Sequence, residues 1–110
     1  MASIRINNTI YPAAISGKFK DADWDGRESK TIKLAMTPAE AAEIFVDDAS
    51  WTIIEDIYDE DVNQVVRHEY DNSDFCVAGD IINHRDGTIS VKMGKLTSDE
   101  MLEIIVGTIT

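Results

Sequence analysis

The chain has 110 residues, and its 21 Asp and Glu against 10 Lys and Arg leave a formal net charge of −11. So acidic a surface repels nucleic-acid phosphates and favours basic protein partners, which excludes direct nucleic-acid binding as an expectation. The lone cysteine, Cys76, rules out an intrachain disulfide framework and reads as a buried, inert thiol.

Taken in chain order, the apolar residues Ile4, Ile6, Ile10 and Tyr11 flank Asn7-Asn8 and predict an opening hairpin. The start, MASIRINN over residues 1–8, lacks the apolar core of a signal peptide, and no apolar run reaches membrane-spanning length. A cytoplasmic protein, forming a single domain over residues 1–110 and making no membrane contact, is the expectation. Next come two similar halves, approximately 13–47 and 75–107. The first carries ISGKF at 15–19, Asp25-Gly26, TIKL at 31–34 and TPAEAAEIFV at 37–46. The second carries VAGDI at 77–81, Asp86-Gly87, SVKM at 90–93 and TSDEMLEIIV at 97–106.

Each half translates into strand, Asp-Gly turn, strand and helix, because Gly accepts the positive φ that a tight hairpin turn requires. Thr37 with Glu40, and Thr97 with Glu100, form capping boxes, and Pro38 suits the first helical position. Ala41, Ile44 and Phe45, like Met101, Ile104 and Ile105, recur at helical spacing and predict buried stripes, so that each helix covers a hairpin. Between the halves, WTIIE at 51–55 and QVVRHEY at 64–70 read as two further strands around an acidic turn at 57–61. The predicted fold is α+β: an antiparallel sheet of about six to eight strands with two short helices, built from two ββα repeats with pseudo-twofold symmetry.

The stretch DADWDGRES at 21–29 opens like a calcium loop, but its twelfth position is Ile32 and its flanks read as strands. Asp21, Asp23, Asp25 and Glu28 therefore belong to a hairpin turn, and no metal or other cofactor is assigned. Trp24 within that turn either folds back over the sheet or anchors a partner. Nucleophile, nucleotide and zinc signatures are missing, and His68 and His84 read as surface side chains, so the chain is read as non-enzymatic with no catalytic residue.

From Lys33 to Arg67 no basic residue intervenes, while Glu40, Glu43, Asp47, Asp48, Glu55, Asp56, Asp59, Glu60 and Asp61 accumulate. These acids are either solvated faces that keep the protein in solution or one surface that docks into a basic cleft. The wording of the sequence, with DWDGRESK at 23–30, MTPAE at 36–40, FVD at 45–47, WTI at 51–53, YDNSDF at 70–75 and AGDIINHRDGTISVKMGK at 78–95, resembles small proteins encoded by phages and prophages of Gram-positive, Clostridia-like bacteria. That resemblance implies a virion part, an assembly factor or an inhibitor of host defence such as an anti-CRISPR protein. Together these readings predict an acidic protein-binding module that inhibits a host nucleic-acid-handling complex by DNA mimicry. Its predicted site is Asp47, Asp48, Glu55, Asp56, Asp59, Glu60, Asp61 and Trp24. The alternative is a phage structural or tail-assembly component that forms a homodimer or larger symmetric oligomer.

Overall fold

A computed structural model describes residues 2–109, with side chains described through residue 104. Seven strands form one antiparallel sheet: β1 (Ala2–Ile6), β2 (Thr9–Asp21), β3 (Arg27–Ala35), β4 (Trp51–Asp59), β5 (Gln64–Asp71), β6 (Val77–Asn83) and β7 (Thr88–Gly94). Two helices, α1 (Pro38–Ile44) and α2 (Ser98–Ile109), complete the α+β fold that the sequence predicts. The strand order is β5-β4-β1-β2-β3-β7-β6.

Local chemistry explains the turns. Asn7 and Asn8 both take positive φ, 51° and 62°, as a two-residue primed hairpin turn demands, and this sets Ile6 opposite Thr9. The β2–β3 link is longer than a bare Asp-Gly turn. A 3-10 turn at Ala22–Trp24 precedes Asp25 and Gly26, both left-handed, and the Gly26 amide donates to the Asp21 carbonyl at 2.8 Å. The stretch read as an acidic turn at 57–61 is mostly strand: β4 runs on to Asp59, because Ile57 and Tyr58 pair with Val66 and Val65.

One sheet face carries the core. Register places Ile4 beside Ile53, Ile6 beside Trp51, Ile32 beside Val91 and Leu34 beside Ile89, and α1 closes this layer with Ala41 and Phe45. In a flat sheet β5 and β6 would lie about 29 Å apart, six strand spacings. The link from Asp71 to Val77 reaches at most about 22 Å, so the sheet must curl around its core. Hydrogen bonds confirm the curl, since the Asp48 amide donates to the Cys76 carbonyl at 2.7 Å and the Ala78 amide to Asp47 Oδ1 at 2.8 Å. They join the start of β4 to the start of β6.

The predicted ββα repeat with pseudo-twofold symmetry is not confirmed. The hairpins β2–β3 and β6–β7 lie side by side, with Ile32 and Val91 directly paired, but the helices that follow them differ. Helix α1 packs on the sheet through Ala41, which is fully buried, whereas Met101 and Ile104 of α2 are 49 % and 57 % exposed. The buried stripe predicted for α2 is therefore corrected, with Ile105 outside the residues whose side chains are described. Helix α2 is attached at its first turn, where Arg27 donates to both Glu100 carboxylate oxygens at 2.8 and 3.1 Å and Thr97 completes its capping box. The radius of gyration is 15.9 Å, against about 13 Å expected for a compact chain of this length.

Candidate protein-binding surface

The β4–β5 hairpin projects as an arm, since Ile57 to Asp59 pair with β5 but have no β1 residue beside them among the described residues. From Trp51 to Asp71 it carries seven carboxylates against one arginine, more than half of the chain's net charge. Strand alternation divides those acids. Glu55 and His68 pair on the core-bearing face, whereas Asp56 lies on the opposite face and receives Arg67 Nε at 3.2 Å. Glu69, on that opposite face too, is bound by Arg5 from β1.

At the tip, Asp59 accepts the Asp61 amide at 2.9 Å, and the Tyr58 hydroxyl donates to Asn63, whose φ is 52°. No ion pair reaches Asp59, Glu60 or Asp61 among the described residues, and Glu60 and Asp61 are exposed. Exposed apolar groups accompany them: Ile57, Tyr58, Val62 and Val65. The predicted site is thus brought together only in part. Asp59, Glu60 and Asp61 form one cluster, while Glu55 and Asp56 lie on opposite faces. Asp47 caps β6, and Asp48, left-handed at φ 63°, helps to close the curl at the far end of β4.

Trp24 lies elsewhere, over the β3–β7–β6 side of the sheet. It is half-buried above Gly79 and Gly94, with the Arg27 guanidinium carbon 4.7 Å from its ring centroid. The carboxylates of its turn diverge instead of converging on a cation. Asp21 is buried and accepts from Lys92 Nζ at 2.7 Å and Ser29 Oγ at 2.9 Å, while Glu28 pairs with Lys95 at 3.2 Å. Of the histidines, His68 stacks on Tyr70 at 6.4 Å and His84 Nε2 meets Ser90 Oγ at 2.7 Å. Cys76 is half-buried, not fully buried as expected.

Sequence reasoning did not find the groove of about 410 Å3 on the core-bearing face, lined in part by Lys30, Glu55, Tyr70, Asn72, Phe75 and Lys95. Lys30 and Lys95 lie 4.5 and 5.1 Å from the Phe75 ring centroid, and Lys30 donates to Asn72. Burial pushes the Lys30 ammonium below its ordinary range. Lys30 and Asn72 are 42 positions apart and Lys95 comes from a third segment, so no local motif signals the groove.

Among the described residues hydrogen bonds hold the carboxyls of Asp21, Asp71, Asp86 and Glu100 below their ordinary range, Asp21 and Glu100 by the most. The Lys92 hydrogen bond, aided by Ser29 and the Asp23 amide, holds Asp21 at about 2, and the Arg27 hydrogen bond, aided by the Thr97 amide, holds Glu100 at about 2. A carboxylate depressed in the folded state stabilises above its unfolded pKa and loses that contribution as pH falls through the folded value. Stability is therefore expected to drop between about pH 4.5 and pH 2, with a drop reduced in Asp21→Asn and Glu100→Gln. A urea midpoint that stays constant across that window would contradict the assignment.

Comparison of the chain with known protein families, with curated proteins and with solved structures finds no match. Among the described residues, no helix is long and apolar enough to cross a membrane.

Proposed function

We propose that this chain is a non-enzymatic, acidic protein-binding module whose working element is the β4–β5 arm. The observation that carries the reading is the arm's tip, where Asp59, Glu60 and Asp61 stand without ion pairs among the described residues beside exposed Tyr58 and Val62. Solvated charge steers a basic partner into contact, and the apolar groups beside it supply area that is removed from water. The resemblance to phage-encoded proteins makes a host defence complex that handles nucleic acid the favoured partner, met in the host cytoplasm. Same-face carboxylates on a strand recur about every 6.8 Å, whereas duplex DNA presents one charge per roughly 1.7 Å of axis. The mimicry is coarse, and the apolar contacts must supply the rest.

A second reading, an oligomerising phage component, is supported by α2, where Met101 and Leu102 are 49 % and 59 % exposed. One experiment separates the two. The full chain and its triple variant Asp59→Lys, Glu60→Lys, Asp61→Lys are used as bait in lysate of a bacterial host at low and high salt, with light scattering on each bait alone. The module reading predicts a monomer that captures a basic nucleic-acid-binding complex, lost at high salt and lost in the variant, with the melting temperature unchanged. Capture that survives the reversal sinks the tip as the working element. A discrete oligomer with empty capture transfers the case to the second reading.

A further inference from the structure

The sheet has two outer strands, and they are not equivalent. Strand β6 is interrupted by a register shift between Ala78 and Ile81 and lies beside α1. Strand β5 keeps an unbroken register, from Asp71 opposite Thr52 to Gln64 opposite Asp59, and contains neither proline nor glycine. Among the described residues β5 pairs with β4 alone. Bulges, prolines, covering segments and outward charges are the devices by which sheets block their edges, because a bare edge presents a row of unpaired amides and carbonyls. Strand β6 has two of these devices. The charges of β5 block the edge to acidic strands only, because Arg67 is drawn sideways to Asp56, while Glu69, which Arg5 binds, and Asp71 keep that face acidic towards a basic strand.

Side chains next to that edge alternate in kind. Val66, His68 and Tyr70 share the core-bearing face, with the His68 and Tyr70 rings stacked at an interplanar angle of 11°. On the other face Glu69 and Asp71 follow Val65 and Arg67. We propose that the outer edge of β5 receives an extended segment of the partner as an eighth strand, with apolar residues against Val66, His68 and Tyr70 and basic residues beside Glu69 and Asp71. This rests on the reading of the β4–β5 arm as the working element and specifies the partner's conformation and pattern. Cross-strand neighbours of opposite charge stabilise such a pair and like charges oppose it. A second copy of this chain is therefore a poor occupant, since pairing two β5 strands would bring together two β4–β5 arms that each carry seven carboxylates against one arginine. The other open stretch, β2 beyond Ala14, carries Lys18 and Lys20 and repels a basic strand.

The probe is a capped eight-residue peptide alternating valine with lysine, titrated into the full chain while amide hydrogen exchange is followed along β5. Binding should slow exchange of the outward β5 amides at least about tenfold, and N-methylation of the two central peptide residues, which removes a donor from each edge, should weaken affinity at least about tenfold. A valine–glutamate peptide should not bind, and Glu69→Lys should weaken the lysine peptide several-fold. Equal binding of the methylated peptide, or unchanged β5 exchange at saturation, overturns the edge strand while leaving electrostatic docking to the arm intact. Absence of binding by the unmethylated peptide overturns it as well. Conversely, edge binding by a chain whose lysate capture ignores the Asp59, Glu60 and Asp61 reversal would preserve the strand addition and reject the tip.

Discussion

Replacing Trp51 by alanine is expected to cost about 3–5 kcal/mol, a large part of the roughly 5–15 kcal/mol that holds a domain of this kind together. The indole is 2 % exposed at the start of β4, its residue is paired with Ile6, and its ring meets Phe75 edge-on at 6.4 Å and 67°. It also ties the curled sheet to its crossing segment. Trp51 Nε1 donates to the Phe75 carbonyl at 3.1 Å, and the Trp51 carbonyl accepts the Asn72 amide at 2.8 Å. Truncation thus leaves a cavity and an unpaired carbonyl together. Trp51→Phe keeps much of the ring volume and loses the donor, so it should cost less, about 1–3 kcal/mol. Urea unfolding measures both, and an alanine variant within about 1 kcal/mol of the parent would refute the role given to Trp51.

The difference between what the sequence discloses and what it conceals follows the range of the interactions. The Asn7-Asn8 turn and the Thr37 and Thr97 caps were legible because each is decided within four residues by backbone geometry and one side chain. The α+β sheet was legible because alternation of apolar residues has a short period. Helix α2 shows the limit: its amphipathic spacing identifies a helix but does not say whether anything covers its apolar stripe, and Met101 stays in solvent. The acidic stretch shows another. Along the chain Glu55 and Asp56 are neighbours, yet strand alternation sends them to opposite faces, and the register brings Arg67 to Asp56 from eleven residues away. The acids at 59–61 remain together because they surround a turn, where alternation ends. Asp21, grouped in sequence with solvated loop carboxylates, is buried because Lys92 arrives from 71 residues further on.

Trp24 supplies the second large effect, through glycines that no local rule would single out. A Cβ on Gly94 would lie 2.7 Å from Arg27 Cδ and 2.8 Å from Trp24 Cζ3, whereas one on Gly17 meets nothing closer than 3.8 Å. Gly94→Ala is therefore expected to cost about 1–3 kcal/mol as an overpacking change, and Gly17→Ala should be close to neutral. Which neighbour yields depends on how each is held. Trp24 is half-buried at the surface, but Arg27 is pinned by both Glu100 oxygens and by the Lys95 carbonyl at 3.0 Å. A displaced Arg27 would release the first turn of α2, so Gly94→Ala should also open α2 to limited proteolysis. At Gly79 the nearest atom to an added Cβ is Trp24 Cη2 at 2.8 Å, with Lys92 Cβ at 3.1 Å, and Arg27 is not among its closest neighbours. Trp24→Ala should accordingly rescue Gly79→Ala more fully than Gly94→Ala in a double-mutant cycle. Equal rescue at both sites would show that the ring alone absorbs the strain and that Arg27 is not the fixed point from which α2 is held.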